Sequence, residues 1–419
     1  MATVPESVDR VREINRMSET ASGKTTFDRS IVDGPLTQAV WHLAWPTMVQ
    51  NVIGGLQGII DHAMVGNLVG HIGNAAIGAS LQIFILVIVF VASLFTGMGV
   101  LVARFAGAAE PDKVNRCVYQ AFLVTVVLAV GVMAPIGYWL SPTLLGLINA
   151  APEVQVEALP YIRILFMFSI GMLMFYMFSG ALRAAGDAKT PMRLGILMTL
   201  MNIVLNVVLI RGLGPIPAFG TRGAAMGTAI ASGMTGLIFV WMLFSDRLVI
   251  RFSRSMSFRP DWQIIRSLFR FGLPAGFQGI AMNLGGVLLF RFIGSLRYSA
   301  EAQAAYSVGY TELFSLITWT SVGLMGATAA VAGQNLGAGR PERSAQSTQV
   351  ASLMGLGVAA VIGLLFVLIP QSLLSLFGMT DRVVVDLGVE LLWYLAFSGL
   401  FITVALAYTG GLQGTGDTK

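Results

Sequence analysis

Charge is what this chain has least of. Of its 419 residues 11% are charged and 55% hydrophobic, with a mean hydropathy of +0.76. Soluble domains carry about 25% charged residues, so a water-soluble fold is excluded. A single cysteine, Cys117, rules out an intrachain disulfide and a thiolate-rich metal site. His42, His62 and His71 are the only histidines and argue against a histidine metal cage. No nucleophile and base stand in an enzymatic pattern, so neither an enzyme nor a cofactor is expected. Residues 1–33 are polar and lack a long apolar core, so no cleavable signal peptide is expected there; they read as a mobile cytoplasmic arm.

What is present is apolar length. A bilayer-spanning helix needs about 20 mostly apolar residues, and ten such stretches are visible, near 36–66, 75–103, 114–140, 154–182, 191–211, 222–245, 263–296, 302–333, 344–370 and 383–412. The expected product is an all-α, multi-pass membrane protein. The net charge of +5 does not point to nucleic acid, because the 26 Lys and Arg residues sort by side. Alternate loops leave Arg163, Arg211, Arg222, Arg291, Arg297 and Arg382 on one side and the rest on the other, with the N-terminal tail and the 246–270 loop. The positive-inside rule then places the N-terminus in the cytoplasm of a cell (inner) membrane protein.

The first apolar stretch holds an acid. In a helix at about 100° per residue, Gln50, Gln57 and Asp61 fall on one stripe together with Gly54 and Gly58. That face is expected to look into a protein cavity, because an ionised acid in hydrocarbon costs about 2.5 to 3.5 kcal/mol and marks a functional site by default. The plainer reading is an acid near the helix end that reaches the headgroups. Pro46 removes a backbone hydrogen bond and can bend this helix. Glu312, about eleven residues into the eighth stretch, is the other acid at membrane depth, about 16 Å in; a second proton site and a helix-to-helix hydrogen bond are equally open readings. Gln50, Gln82, Tyr176, Gln278, Tyr306 and Glu312 are the candidate lining of a substrate cavity. Phe84, Phe175, Tyr310 and Met174 are adaptable apolar side chains for which packing is the simpler role.

The chain repeats itself. AWPTMVQ at 44–50 aligns with GLPAGFQ at 272–278, GAAEPDK at 107–113 with GAGRPER at 337–343, and GALRAAGDAK at 180–189 with GGLQGTGDTK at 410–419. These offsets of 228 to 230 residues divide the chain into an arm (1–35), an N-lobe of helices 1–6 (36–246), a cytoplasmic linker (247–262) and an incomplete C-lobe of helices 7–10 (263–419). The first copy runs on to about Arg247 while the second stops at Lys419, so about 58 residues of a twelve-helix protein are expected to be missing. Lobes of six helices insert the same way up, related by a pseudo-twofold along the membrane normal. The Pro-Asp and Pro-Glu pairs after the loops suit a helix first turn, Thr190-Pro191 reads as an N-cap and first helical residue, and the Asp187/Lys189 and Asp417/Lys419 segments read as tight turns.

Together the repeat, GIIDHAMVG, GQNLGAGRPERS and LRAAGDAKTPM resemble the multidrug and toxic compound extrusion (MATE) family over residues 36–419. The resemblance implies a V-shaped, monomeric antiporter of two six-helix lobes that exports organic, often cationic compounds through the bilayer in exchange for H⁺ or Na⁺. It also implies that Asp61 is the coupling-ion or proton site, joined by Asn202 and Asn206 of helix 5 and by Gln57; the one place for Na⁺ is Asp61. Some members carry an acid where this chain has Asn206, and others have acids on helices 7 and 10 where this chain has Met282 or Asn283 and Ile402. Leu289 is the repeat partner of Asp61, so coupling is expected in the N-lobe alone. The competing readings are a flippase for lipid-linked precursors, which predicts a basic cleft, and an ion channel, which predicts electrogenic flux without substrate.

Overall fold

A computed structural model describes residues 27–148, 151–245, 247–252, 259–296, 298–379 and 381–418. Among them eight helices, or nine with one bent pair, are long and apolar enough to cross a membrane. The bent pair is Pro152–Met167 with Ile170–Ala184, at 49°. The helices that matter for the site are α1 (Leu36–Leu68), α2 (His71–Ala92), α3 (Leu94–Gly107), α4 (Pro152–Met167), α5 (Ile170–Ala184), α6 (Lys189–Arg211), α7 (Thr221–Phe244), α8 (Trp262–Ile293), α9 (Ser315–Gly337) and α10 (Arg382–Thr415). At 33 residues α1 is about 50 Å long and could also span. Its glutamines, asparagines and glycines keep it out of that apolar set, so the polar stripe sets this helix apart from the other nine spans.

The repeat is built into the backbone. After α3, Ala109 has φ +57° and the Glu110 N–H donates to Phe105 O at 2.9 Å; after α9, Gly339 has φ +74° and the Arg340 N–H donates to Asn335 O at 2.9 Å. After α5, Gly186 has φ +104° and Asp187 N–H donates to Leu182 O; after α10, Gly416 has φ +87° and Asp417 N–H donates to Leu412 O. The tight-turn reading of Asp187 and Asp417 is therefore correct. Capping differs from the expectation: α6 begins at Lys189, and Asp187 Oδ1, not Thr190, accepts a first-turn bond, from the Thr190 N–H at 3.0 Å.

The lobes meet in a reciprocal crossing. A Cβ on Gly107 of α3 would overlap the carbonyl of Gln334 on α9, and one on Gly337 of α9 would overlap the carbonyl of Arg104 on α3. Small residues permit this backbone approach where no hydrophobic effect drives helices together. Gln334 Nε2 donates across the crossing to Ala184 O at 2.7 Å, and Arg104 donates to Thr415 O. Each bond joins a helix of one lobe to the other lobe, and residue 334 is the repeat counterpart of residue 104. Elsewhere α9 packs on α1, where a Cβ on Gly323 would crowd the Met48 backbone, and α8 packs on α3.

The N-terminal arm is docked from residue 27 on, contrary to the expected mobility; residues 1–26 lie outside the described set. Ile31 is fully buried against Gly186. Around it Arg340 pairs with Asp33 at 2.8 Å and donates to Val32 O, and Arg343 donates to Gly34 O at 2.7 Å. Two backbone carbonyls satisfied by arginines from the opposite repeat hold the strap over the crossing. Replacing Ile31 with Asp buries an unpaired charge, which is costly; the expected result is a fall of several degrees in the melting temperature of the detergent-solubilised protein, read by intrinsic fluorescence.

Candidate functional site

The polar stripe of α1 faces α6, not an open cavity. Gln50 Cγ lies 3.3 Å from the Cβ position of Gly195, Gln57 Oε1 accepts from Thr199 Oγ1 at 2.8 Å, and Asp61 Oδ1 accepts from Asn206 Nδ2 at 2.7 Å. Gly195, Thr199, Asn202 and Asn206 form one face of α6 at three- and four-residue spacing, and that face matches the stripe rung for rung. Asp61 sits two turns below the end of α1, about 10 Å in, and its side chain turns to the protein instead of the headgroups.

Asn202 completes the cradle. Oxygen and nitrogen of an amide are assigned from their partners. The Thr228 N–H can only donate, so it fixes the Asn202 oxygen at 3.2 Å, with Thr228 Oγ1 at 3.0 Å, and turns the nitrogen toward Asp61 Oδ1 at 3.0 Å. In that orientation Asp61 Oδ1 faces two amide nitrogens, Asn206 Nδ2 at 2.7 Å and Asn202 Nδ2 at 3.0 Å, and the Asn202 nitrogen lies 3.3 Å from Asn206 Nδ2 and 3.2 Å from Gln57 Nε2. Asn202 and Asn206 are both fully buried. Buried Tyr161 of α4 lies within electrostatic reach of the carboxylate, while His62 is held away from it by Asn74 Oδ1 at 2.6 Å. Among the described residues Asn206 Oδ1 has no hydrogen-bond partner, and it rests against Gly227 of α7, where a Cβ would overlap it. Gly227→Ala is therefore expected to push the Asn206 amide off Asp61 and cost about 1–3 kcal/mol, seen as reduced thermal stability together with reduced transport.

A separate cavity of about 300 Å³ lies between the lobes, beside the crossing. Asn51, Phe95, Thr96, Tyr176, Arg183, Met325, Gly326 and Gln413 are on its wall. Asn51 also donates to Trp319 O at 3.2 Å, and the Trp319 ring fills the space beside Gly55. So α1 touches the Asp61 cradle through one face and the cavity and α9 through the other.

Of the six cavity candidates read from the sequence, only Tyr176 is on this wall. Gln50 packs on α6 at Gly195, and Gln82 of α2 and Gln278 of α8 are exposed and do not line this cavity. Tyr306 is buried and stacked on Tyr310, centroids 4.9 Å apart. Glu312 sits in a π-helical segment, Ser307–Leu313, and is not on the wall. An α-helical register would set Glu312 on one stripe with Ser315 and Trp319; the wider turn shifts it. Sequence reading missed Thr199, Thr228, Gly227 and Tyr161 around Asp61, and Asn51, Arg183 and Gln413 in the cavity. Thr199 was findable, since 199, 202 and 206 follow an i, i+3, i+7 pattern.

A profile of the MatE family matches residues 46–208 and again 274–419. Both matches begin at the in-helix prolines Pro46 and Pro274, and together they cover more than half of the chain. The chain belongs to the MatE family. MatE proteins are transporters and not enzymes, so this one is an integral membrane transporter. The MatE chain is similar to the probable multidrug resistance protein NorM of Thermotoga maritima, 26% identical over 90% of this chain and 79% of that one. It is similar also to the multidrug export protein MepA of Staphylococcus aureus, 24% identical over 92% and 83%. Its fold matches a multidrug-resistance MATE family transporter solved in an outward-facing conformation, with a TM-score of 0.86 at 22% identity over 94% of this chain and 86% of that one. Two helical lobes related by an internal repeat are thus the MatE architecture.

Proposed function

We propose that this MatE protein exports organic compounds in exchange for protons by alternating access, with Asp61 as the coupling site, the N-terminus in the cytoplasm and the cavity between the lobes as the substrate site. The observation that supports this most is the pair of amide N–H donors on one oxygen of a carboxylate inside a membrane span. Donors of that kind stabilise the ionised acid. A Na⁺ ion would need the Asn202 and Asn206 amides to turn and offer oxygens in place of the nitrogens that now face Asp61. A proton needs only the carboxylate.

Protonation removes the charge that the amides hold, and α1 is then free to shift against α6. Asn51, ten residues and about 15 Å along the same helix, carries that shift to the cavity wall. Coupling of this kind needs a different substrate affinity in the two states, and a helix shared by both sites supplies the connection. The cation preference expected from the family resemblance has no carboxylate on this wall among the described residues. A flippase reading is favoured by one feature only, Arg183.

The test is efflux of a fluorescent organic dye from proteoliposomes energised by a pH gradient without Na⁺, or by a Na⁺ gradient at constant pH. Efflux under the pH gradient alone supports the proposal. Efflux under the Na⁺ gradient alone names the other ion, and dye-independent current indicates a channel.

A further inference from the structure

The cavity wall has one charged side chain among the described residues, and it is a cation. Arg183 stands in the last turn of α5 and reaches across to the other lobe, where its Cζ, Nε and Nη1 lie 3.4 Å from the Cβ position of Gly326 on α9. Among the described residues it makes no hydrogen bond and no ion pair. By comparison Arg104 donates to Thr415 O, and Arg163, which is not on this wall, lies over the Tyr138 ring at 5.3 Å. A guanidinium with no protein partner on a mostly apolar wall keeps its N–H donors free for a ligand that enters the cavity.

Gln413 answers from the opposite side. It is the repeat counterpart of Arg183, in LQGTGD against LRAAGD, and both line the same cavity. The pseudo-twofold therefore passes through the cavity and brings the two side chains to it, one from each lobe. Asp61, the nearest charge the mechanism uses, is a residue of the N-lobe cradle and not of this wall.

From this juxtaposition we propose that Arg183, with Gln413, forms a subsite for a carboxylate group on the transported organic compound. A guanidinium offers a planar fork of N–H donors that matches a carboxylate in bidentate fashion, and the glutamine amide adds another donor. A volume of about 300 Å³ suits a small ring system carrying one such group. Because the subsite spans both lobes, a bound carboxylate holds them together and is released when they separate. The proposal rests on the reading of this cavity as the substrate site and adds the chemical class of the substrate.

The test uses two dyes that differ by a single methyl group, rhodamine 110 with a free carboxylate and its methyl ester rhodamine 123. Binding to the full chain in detergent is followed by fluorescence anisotropy with no ion gradient. The wild type is expected to bind the free acid about tenfold more tightly than the ester. Arg183→Gln should remove the acid's advantage over the ester without weakening the ester, whose retained binding also shows that the variant is folded; Arg183→Lys should retain part of the preference. Equal or weaker binding of the acid by the wild type, no saturable binding of it, or a preference that persists in Arg183→Gln overturns the proposal. Asp61→Asn should keep the acid preference, so a failure of the coupling reading leaves this result intact. Gradient-driven efflux of the ester without any acid preference sinks the subsite alone.

Discussion

Asp61→Asn is expected to abolish gradient-driven efflux, by about a hundredfold or more, while substrate still binds. The substitution keeps shape and nearly all volume, and it leaves one group facing Asn202 and Asn206 that cannot lose a charge. The fall in rate follows because a neutral amide has the same charge in both steps of the cycle, so a proton gradient has nothing to act upon. A partial loss would point to a second proton carrier, with Glu312 the first to replace. The measurement is initial dye efflux from proteoliposomes, paired with dye binding in detergent to separate coupling from recognition. Efflux that equals the wild type removes Asp61 from the mechanism.

The second large effect is at the lobe crossing. Gly107→Ala and Gly337→Ala each place a methyl group where the opposite backbone carbonyl now lies. Neither carbonyl can retreat without moving its helix, because both belong to helical segments packed from several sides. The crossing should therefore open, with loss of the Gln334 to Ala184 and Arg104 to Thr415 hydrogen bonds. Labelling reads the change: with the buried Cys117 replaced by Ser and Ala330 of the cavity wall replaced by Cys, a membrane-impermeant maleimide added from the crossing side should react about tenfold faster in either glycine variant. Equal rates in all three proteins would mean that the crossing is not a gate. Because the two glycines are related by the repeat, the variants should behave alike, and a large difference between them would show that the halves move independently.

How much of this was legible in the sequence differs from level to level. The repeat was visible at Pro46 and Pro274 and at the two Gly-Asp turns, and the backbone follows it at each. Asp61 could be found because an acid in an apolar run stands out, while Asn202 and Asn206 were implied by the family resemblance. The rotation of α1 about its own axis was not legible. Its two faces are both small and polar, one with Gln50, Gln57 and Asp61, the other with Asn51 and Gly55, and only the partners Gly195 and Trp319 decide which faces α6 and which faces α9. Periodicity also fails where the helix is not regular, as at Glu312 inside Ser307–Leu313. Arg183 was in plain sight in LRAAGD, but its meaning depends on Gln413 sharing one cavity with it, which no local pattern encodes.

The central claim is that substrate and proton exchange through Asp61. The most direct measurement is proton release on substrate binding: purified protein in weakly buffered detergent solution is titrated with the dye it exports, while a pH indicator counts protons. The wild type should release about half a proton per bound substrate at the midpoint of its own titration, rising toward one on the acid side of it, and Asp61→Asn should bind the dye and release none. Proton release that persists unchanged in Asp61→Asn would contradict the account.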